Sequence, residues 1–515
     1  MGVSSRSRLL LTIFVAAFSG FVALSYELVW YRVLYVMTRG IAATFGLLLA
    51  FYLFGLAIGA RASAVFCKTK GGDARSLRVL AVFVAIANLI AALVGPTFAW
   101  SAKFTNFWLG LGVVAVGAGF LGAILPLISH FGIEPDDRAG QRVSYVYLAN
   151  IIGSAVGSLL TGFVLMDVMP LVSIARVLLV AGFALAALLA AIGSRGRSRL
   201  ASPLALGACA LAAVLVIPRF YDRLYERLVY KREFDGSQRF AQIVENKSGV
   251  ITVDTNGTVY GSGIYDGVVN TALADNDKNW ILRAYVLGAI HPAPREVLMI
   301  GLSSGSWAQV IANLPGVEHL TVIEINPGYT QVVAAHPEVA SVLTNPKVKI
   351  EIDDGRRWLL RHDTRFDAIV MNTTLYWRGH ATNLLSIEFL EIARKHLSPG
   401  GILYFNTTDS YDVQLTAARA FPHLLRITNH VAVSDSPFNF DRPRWHELLR
   451  TMRIDGKPII DVEHDKALYD ECAGFIQMEP RDSMYSRVKV ATVVTDDNMV
   501  TEWEQPLRYP EPEAQ

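Results

Sequence analysis

Three carboxylates follow apolar runs at positions where a protein can bind a nucleotide. Glu324 closes the second apolar run of the stretch 297–326, and Asp353 and Asp354 follow the next apolar run. Within 297–326 the first run breaks at small residues, and a helical pattern leads into the second run. This order predicts a βαβ unit whose strands are buried on both faces. A carboxylate at the end of the second strand is typical of sheets that bind ribose hydroxyls, and a βαβ unit without a ligand is the alternative.

The loop after the first apolar run is the second candidate for ligand contact. In parallel sheets, ligands bind beyond the carboxyl ends of the strands, where this loop and the carboxylates meet. We therefore expect the loop and the carboxylates to contact the same ligand. The loop residues concerned are Gly301, Ser303, Ser304 and Gly305, and Asn372 follows a later strand at the same edge.

A short segment rich in aromatic and charged residues is the third candidate. Tyr376, Trp377 and Arg378 suit a sugar or an anionic head group, because aromatic faces stack and a guanidinium binds phosphate or carboxylate. His380 is the first acid/base candidate, since imidazole titrates near neutral pH, and Asp266 is the second. The alternative is a loop that packs at the lipid interface, where Trp and Tyr are enriched.

The elements that must position these residues are strands and helices that alternate after residue 270. Strands are predicted at 297–300, 320–323, 348–352, 368–371 and 402–405, and helices near 275–287, 307–313, 328–336, 355–361 and 384–397. Such alternation implies a mostly parallel sheet. We expect late strands near 488–494 to close this sheet in the antiparallel sense. Before it, the glycine-punctuated stretch 239–270 predicts a small antiparallel sheet of hairpins.

The composition divides the chain into an apolar half and an ordinary globular half. Apolar residues make up 52% of the chain, the mean hydropathy is +0.35, and nearly all of the excess lies before Pro218. The net charge of +2, with no basic patch that contains aromatics, gives no case for nucleic acid. Three separated cysteines, without a Cys-x-x-Cys, a His-x-x-His or a compact carboxylate cluster, argue against a metal site.

Seven apolar stretches are long enough to cross a membrane, so the lipid bilayer is an expected partner. They lie near 9–28, 41–61, 77–99, 107–129, 143–166, 169–194 and 200–217. The predicted organisation is a transmembrane domain at 1–217, an interfacial linker at 218–236, a β-hairpin subdomain at 237–270, and an α/β domain at 271–515. The fold class is thus a helical membrane domain, a small antiparallel sheet and a Rossmann-like domain.

The distribution of Lys and Arg between alternate loops predicts the orientation. The loops on the N-terminal side carry twelve such residues and the opposite loops carry four. The positive-inside rule therefore puts the N-terminus in the cytoplasm, and an odd number of spans puts the part after Pro218 outside. At the end of the first predicted span, Glu27 is costly unless it is paired or at the interface, and Arg32 is the expected partner. The alternatives for Glu27 are a polar site facing the bundle and an interfacial ion pair.

Several motifs resemble the spermidine synthase (aminopropyltransferase) family. The segment 265–270 reads Tyr-Asp-Gly-Val-Val-Asn, where that family has Leu-Asp-Gly-x-x-Gln. Asp-Asp-Gly at 353–355 and Leu-Ser-Pro-Gly-Gly at 397–401 are also similar. In the apolar half, Tyr-Glu-Leu-Val-Trp at 26–30 and Gly-Leu-Ala-Ile-Gly at 55–59 resemble bacterial proteins that fuse several spans to such a domain. The resemblance covers nearly the whole chain and implies a multi-pass protein of the bacterial inner membrane.

The resemblance also implies a cofactor and its contacts. S-adenosylmethionine or its decarboxylated form would be the cofactor, with its ribose held by Glu324 and its adenine amino group by Asp354. Tyr265 and Asn270 would lie among the substrate-binding residues. An extracytoplasmic domain would have no supply of such a cofactor and would work without one.

The sequence departs from the family at the residues that handle the polyamine. The family's Gly-Gly-Gly-Asp-Gly-Gly reads Gly-Leu-Ser-Ser-Gly-Ser at 301–306, so Ser304 replaces a carboxylate. Its Asp-Ser-Ser-Asp-Pro reads Asn-Thr-Thr-Leu-Tyr at 372–376. Asn372 cannot accept a proton from an attacking amine, and Leu375 offers no charge to a polyamine. We therefore do not expect the chain to make spermidine.

Three functions follow as hypotheses. The first is a membrane-embedded enzyme that acts by acid/base chemistry on an envelope substrate, either a small molecule, a glycan or a lipid-linked molecule. The second is an aminopropyl or methyl transferase that depends on S-adenosylmethionine or its decarboxylated form. The third is a non-catalytic binding or transport-associated module, for which the loss of the catalytic base at Asn372 is the argument. Self-association into a homo-oligomer is left open.

Overall fold

The computed structural model of the chain describes residues 5–68, 74–194, 198–273, 280–372, 375–474 and 477–503. The chain forms two compact units: Met1–Thr38, Thr44–Arg239 and Glu245–Gly249 make the first, and Arg39–Ala43, Phe240–Val244 and Val250–Gln515 make the second. Two short segments therefore belong to a different unit from the residues that flank them in the chain. The connector Arg39–Ala43 joins two helices of the first unit but belongs to the second, whereas the hairpin turn Glu245–Gly249 belongs to the first.

Helices build the first unit. They are α1 (Ser5–Met37), α2 (Ala43–Ser63), α3 (Ala74–Ala102), α4 (Trp108–Gly132), α5 (Ala139–Leu160), α6 (Met166–Val168), α7 (Leu171–Ile192), α8 (Ser198–Phe220) and α9 (Leu224–Tyr230). Among the described residues, seven helical stretches are long and apolar enough to cross a membrane, which confirms the predicted number. The last of them, Leu200–Glu233, includes α8 and α9 and so extends into the region predicted as an interfacial linker.

Glycines let two of these helices approach closely. A Cβ atom added at Gly153 of α5 would lie 1.8 Å from the carbonyl oxygen of Ala17 in α1, and one at Gly157 would lie 2.3 Å from that of Phe21. Larger residues at these positions would force the helices apart. Small residues at a membrane-helix interface favour this kind of backbone packing. One turn further along, Thr161 starts a π-helical segment, and its hydroxyl donates to Ser25 Oγ at 2.9 Å.

The expected pair of Glu27 and Arg32 is wrong. Both residues lie in α1, and Arg32 Nη2 donates to the carbonyl oxygen of Lys247 at 3.3 Å. Residues five apart are about 140° apart around a helix, so their side chains point to different faces. Glu27 is buried, with 8% of its surface exposed, and lies within the helix instead of at its end.

The second unit begins with the predicted sheet of hairpins. Its strands are β1 (Phe240–Asn246), β2 (Gly249–Asp254), β3 (Thr258–Gly261) and β4 (Ile264–Val268), hydrogen-bonded in that order. The pairs β2–β3 and β3–β4 are antiparallel, which confirms the prediction. Tight turns connect the strands because glycines such as Gly257, with φ +78°, adopt the left-handed conformation that other residues disfavour.

A mixed eight-stranded sheet forms the centre of the second unit. Its strands are β5 (Glu296–Ile300), β6 (His319–Glu324), β7 (Val348–Ile352), β8 (Phe366–Met371), β9 (Leu397–Asn406), β10 (His423–Ile427), β11 (His430–Ser434) and, after the two-stranded β12 (Arg453–Ile454) and β13 (Lys457–Pro458), β14 (Met478–Pro480). The order is β14-β10-β11-β9-β8-β5-β6-β7. The five strands from β9 to β7 are parallel, as predicted.

Helices cover this sheet. They are α10 (Leu282–Tyr285), α11 (Leu287–Ile290), α12 (Ser306–Ala312), α13 (Gly328–Ala335), α14 (Pro337–Ala340), α15 (Gly355–Leu359), α16 (Thr382–Leu385), α17 (Ile387–Lys395), α18 (Tyr411–Ala420), α19 (Arg442–Thr451), α20 (Lys466–Gly474), α21 (Arg481–Val488) and α22 (Val500–Trp503). The strands alternate between two apolar cores: Val297 and Met299 belong to one, Leu298 and Ile300 to the other. The prediction that the strands of the βαβ unit are buried on both faces is therefore confirmed for β5. The start of the helix predicted at 275–287 lies outside the described residues.

The predicted closing strand near 488–494 is wrong, although the antiparallel closure itself is present. β11 pairs with β9, β10 with β11, and β14 with β10, all antiparallel. Residues 481–488 form α21, which buries Met484 and Val488 one turn apart. The alternating valines of this region predict a strand, but helical spacing of two buried side chains against the core decides the structure.

Candidate functional site

Glu324 lies at the carboxyl end of β6 and organises the edge of the sheet. Its Oε2 accepts the N–H of Leu302 at 2.7 Å, and its Oε1 accepts the N–H of Asn326 at 2.7 Å. Only 3% of the residue is exposed, and burial raises the pKa of Glu324 to about 7. The carboxylate therefore ties the loop after β5 to the loop after β6. Lone-pair sites that these N–H groups and that of Ser303 do not use remain for a further donor.

The small-residue loop after β5 uses its serine side chains within the protein. Ser303 Oγ donates to the main-chain carbonyl of Asp266, and Ser306 Oγ donates to that of Val268 at 2.6 Å. Ser304 is buried and shares a hydrogen bond with Ser306. These hydroxyls fasten β4 to the loop. What the loop can offer a ligand is its backbone, which turns at Gly301 and Gly305, both with positive φ.

Asp353 and Asp354 follow β7 next to Glu324. The N–H of Asp353 donates to the carbonyl of Glu324 at 3.1 Å, so the two strand ends are fixed to each other. Asp354 caps α15 by accepting the N–H of Arg357 at 2.8 Å. Asp353 forms an ion pair with the side chain of Arg357. One carboxylate oxygen of Asp354 remains for a ligand.

Two exposed aliphatic side chains flank these carboxylates, and the sequence interpretation missed them. Ile325, directly after Glu324, is 64% exposed, and Ile352, paired with Glu324 in the sheet register, is 50% exposed. Together they form a small exposed apolar surface beside the carboxylates. They could cover the faces of a flat ring whose polar edge meets Asp354. The sequence offered one signal for this feature, namely the apolar Ile325 immediately after the strand-end carboxylate Glu324.

The strand-end edge, by which we mean the 301–306 loop with Glu324, Asp353 and Asp354, therefore fits a nucleoside. Glu324 can accept sugar hydroxyls at lone-pair sites that the N–H groups of Leu302, Asn326 and Ser303 do not use. Asp354 can accept from an amino group, and the two isoleucines can contact a base. The adenosyl cofactor implied by the sequence would be held by these residues and would supply an electrophilic carbon next to a sulfonium. The same Glu324 chemistry also fits the hydroxyls of another sugar.

A second group of polar residues surrounds Asp266 in β4. The hydroxyl of Tyr329 donates to Asp266 Oδ2, and Arg378 lies close enough to interact electrostatically with both groups. Desolvation by the surrounding protein raises the pKa of Asp266, although Tyr329, Arg378 and Ser303 oppose the shift. A Cβ atom at Gly261 would lie 2.4 Å from the hydroxyl of Tyr329, so only glycine leaves room for this arrangement. Tyr329 is a further residue that the sequence interpretation missed.

The 375–382 loop contributes Arg378 to this group. Trp377 is buried, with Ile264 and Ile41 against it, and Tyr376 is half-buried beside them. The chain at Arg378 forms an antiparallel bridge with Ile41, and the N–H of Gly379 donates to the carbonyl of Gly40 at 2.8 Å. Both partners belong to the second unit.

His380 lies at the other end of that loop. Its side chain is exposed and makes no hydrogen bond to any residue that the structure describes, and its φ of 71° is left-handed. Its main-chain N–H donates to Glu502 Oε2, and that of Thr382 donates to Glu502 Oε1, both at 2.9 Å. The structure therefore fixes the backbone of His380 and leaves its imidazole to solvent. Glu502, in α22, had no signal in the sequence.

The remaining predicted residues are more scattered. Asn372 is half-buried at the end of β8, and residues 373–374 are outside the described part of the chain. Tyr265 is exposed on the strand that carries Asp266. Asn270 shapes the turn after β4, where its Oδ1 accepts the N–H of Ala272 at 2.8 Å. Within the ranges that the structure describes, no group of three or more His, Cys, Asp or Glu residues could hold a metal ion.

Comparisons with known proteins agree with this architecture. A family model described as a spermine/spermidine synthase domain matches residues 284–424. A polyamine aminopropyltransferase of Streptococcus uberis is 32% identical over 198 residues, which cover 69% of that protein. The chain belongs to the spermine/spermidine synthase family. Its relative in Mycobacterium tuberculosis, a polyamine aminopropyltransferase, is 24% identical over 434 residues, which cover 79% of this chain and 78% of that protein.

Other members of the spermine/spermidine synthase family match over shorter parts. The chain spans 60% of the length of a polyamine aminopropyltransferase from Desulforudis audaxviator, at 29% identity over 170 residues, and 41% of the length of another from Agathobacter rectalis. A solved structure of a probable spermidine synthase from Corynebacterium glutamicum aligns with 50% of this chain and 97% of its own, with a TM-score of 0.34 and 17% identity.

Proposed function

We propose that the second unit is a spermidine synthase-like enzyme that acts on a sugar-bearing, neutral or anionic substrate at the membrane, and that it does not make spermidine. The observation that carries the proposal is the group formed by Asp266, Tyr329 and Arg378. It combines a desolvated carboxylate, whose pKa is raised, with a guanidinium that interacts with it electrostatically. A cation in this position disfavours a polyamine, because like charges repel strongly where water is partly excluded.

Asp266 is the proton acceptor in this proposal. A carboxylate with a raised pKa is a stronger base than an ordinary one and is still ionised above that pKa. It would take the proton from a substrate hydroxyl while Tyr329, which donates to Asp266 Oδ2, fixes its orientation. Arg378 would hold a phosphate or carboxylate of the substrate, and Glu324 would accept the sugar hydroxyls. Asn372 cannot serve as the base, since an amide does not accept a proton at neutral pH.

An adenosyl-sulfonium-dependent transferase is the second candidate. Ile325 and Ile352 favour it, because exposed aliphatic faces beside Glu324 and Asp354 suit a purine nucleoside better than a glycan. The names of the aligned relatives, polyamine aminopropyltransferases, also favour it. In this case the strand-end edge binds the donor, and the residues around Asp266 receive a different acceptor from the family's amine.

The connector 39–43 supports an extracytoplasmic location. Gly379 donates to Gly40, and a hydrogen bond of 2.8 Å cannot form across a bilayer. The connector and the 375–382 loop therefore share one side of the membrane. Because α1 separates the connector from the N-terminus, the second unit would lie opposite the N-terminus whatever the total number of spans. With the basic loops inside, that side is the outside.

A reporter fused after Gln515 tests the location. We expect alkaline phosphatase to be active and green fluorescent protein to be dark, since short basic loops stay in the cytoplasm and the long C-terminal part is translocated. A fusion after Arg6 serves as the control and should behave in the opposite way. Fluorescence of the C-terminal fusion would place the unit in the cytoplasm, restore access to an adenosyl donor, and favour the second candidate.

Calorimetry on the full-length protein in nanodiscs distinguishes the two candidates. The probes are a polyprenyl-phosphate-linked sugar, S-adenosylmethionine, its decarboxylated form and methylthioadenosine. The first candidate predicts binding of the linked sugar, weakened roughly 100-fold in Glu324→Ala, because about 3 kcal/mol is lost with two charge-assisted hydrogen bonds. Binding of only the adenosyl compounds would favour the second candidate. If no probe binds at millimolar concentration, both are wrong.

A further inference from the structure

The 375–382 loop is held from two sides by segments that are far away in the sequence. At one end, residues 40–41 pair with Arg378 and Gly379 through backbone contacts. At the other end, the carboxylate of Glu502 accepts two N–H groups of the loop. Between these ends lies Arg378, whose charge reaches Asp266 and Tyr329.

We propose that Ile41 and Glu502 are positioning residues of the enzyme site, and that the connector of the first two membrane helices is a working part of that site. The proposal rests on the function proposed above, in which Arg378 binds an anionic group. It makes the connector 39–43, which belongs to the second unit, necessary for the position of Arg378 in the same unit.

Packing is the physical basis at the first end. Ile41 is 7% exposed, Trp377 is 6% exposed and Ile264 is 3% exposed, and the three form one apolar cluster. Gly379 leaves little space there, because an added Cβ would lie 3.3 Å from the carbonyl oxygen of Gly40 and 3.4 Å from Cα of Ala42. Truncating Ile41 to Ala would remove one of the apolar side chains that pack around Trp377, the residue directly before Arg378, and would leave a cavity there.

Charge-assisted hydrogen bonds are the basis at the second end. Glu502 is 5% exposed, and its two oxygens accept the N–H groups of His380 and Thr382. Thr382 is the first residue of α16 and His380 lies two residues before it, where N–H groups without an intrahelical partner need acceptors. A Gln at this position has one acceptor oxygen and an NH2 group that faces the second N–H donor. Glu502→Gln therefore loses at least one of the two bonds.

Hydrogen exchange on the full-length protein in nanodiscs tests the proposal without any ligand. We expect amides of 377–382 to exchange at least about 10-fold faster in Ile41→Ala and in Glu502→Gln, because local opening becomes easier, while amides of 301–306 keep their rates. Ile41→Val should restore protection. Ile460→Ala serves as the matched control. Ile460 is also buried, with 3% of its surface exposed, but it belongs to the core of Val297 and Met299 and not to the cluster of Ile41.

A spectroscopic measurement separates positioning from general loss of stability. The difference in fluorescence between the protein and its Trp377→Phe variant reports Trp377, and it should shift to longer wavelength in Ile41→Ala but not in Ile460→Ala. The proposal would be overturned if the amides of 377–382 exchanged at unchanged rates in Ile41→Ala and in Glu502→Gln. It would also be overturned if Ile460→Ala accelerated their exchange to the same extent. If the loop responds as expected but no probe binds the protein, the positioning stands and the proposed function fails.

Discussion

The two sides of the site are built in different ways. The strand-end edge consists of loops that directly follow parallel strands, and its residues are fixed by neighbours such as Leu302, Asn326 and Arg357. The 375–382 loop is fixed by residues 40–41 and by Glu502, which are more than a hundred positions away. In the sequence pattern, the strand-end edge resembles the family at its carboxylates, whereas Asn372 departs from the resemblance.

This difference bears on which residues of the site can be replaced without disturbing the fold. A strand-end carboxylate such as Glu324 holds two loops together as well as a ligand, so its replacement would disturb the sheet edge. A loop held from outside can change its side chains while its ends stay fixed. Arg378 and Trp377 lie in such a loop, and residue 41 of the connector contacts both of them.

The largest expected effect is on catalysis. In Asp266→Asn we expect turnover of the substrate identified by calorimetry to fall roughly 10²- to 10⁴-fold, the usual contribution of a general base, with ligand affinity at Glu324 nearly unchanged. Steady-state kinetics and calorimetry on the same preparation measure the two quantities. Tyr329→Phe is the matched control and should lose less, since it removes an orienting group and keeps the base. Full activity of Asp266→Asn would show that the base lies elsewhere.

A smaller effect is expected on stability, and it concerns the strand-end edge alone. The folded pKa of Glu324 is about 7, against an ordinary value of 4.5, so the folded protein binds an extra proton between these values. Its contribution to stability is therefore fully present below about pH 4.5 and is lost as the pH rises through 7, by roughly 3 kcal/mol in all. Melting temperatures at pH 5 and pH 8 should show Glu324→Gln gaining relative to the native protein as the pH rises. Parallel pH dependence of the two proteins would contradict this assignment.

The sequence predicts the strand-end edge well because its signals are local. An apolar run followed by a carboxylate is enough to place Glu324, Asp353 and Asp354 at one edge, and the structure brings them together. The parallel strands and the hairpin sheet follow from the same kind of local pattern, whereas the strand order was not predicted. Residues 488–494 show the limit, because their alternating valines predict a strand where α21 and an irregular segment lie.

The 375–382 loop could not be predicted in the same way. Its aromatic and charged residues were visible, but their partners Ile41 and Glu502 lie in segments with no pattern that links them to it. His380 is an acid/base candidate by its residue type alone, and the structure exposes it. Tyr329, which has no unusual sequence context, is the residue that contacts Asp266. Glu27 and Arg32 were paired by proximity in sequence, although the helix separates them.

The central claim is that the site no longer accepts a polyamine, and one product assay tests it most directly. The full-length protein is incubated with decarboxylated S-adenosylmethionine and putrescine, and spermidine is measured by mass spectrometry. We expect none from the native protein and none from Asn372→Asp, because one carboxylate cannot restore both the base and the cation-binding residues while Arg378 remains. Spermidine formed by the native protein, and lost in Asp266→Asn, would contradict the account.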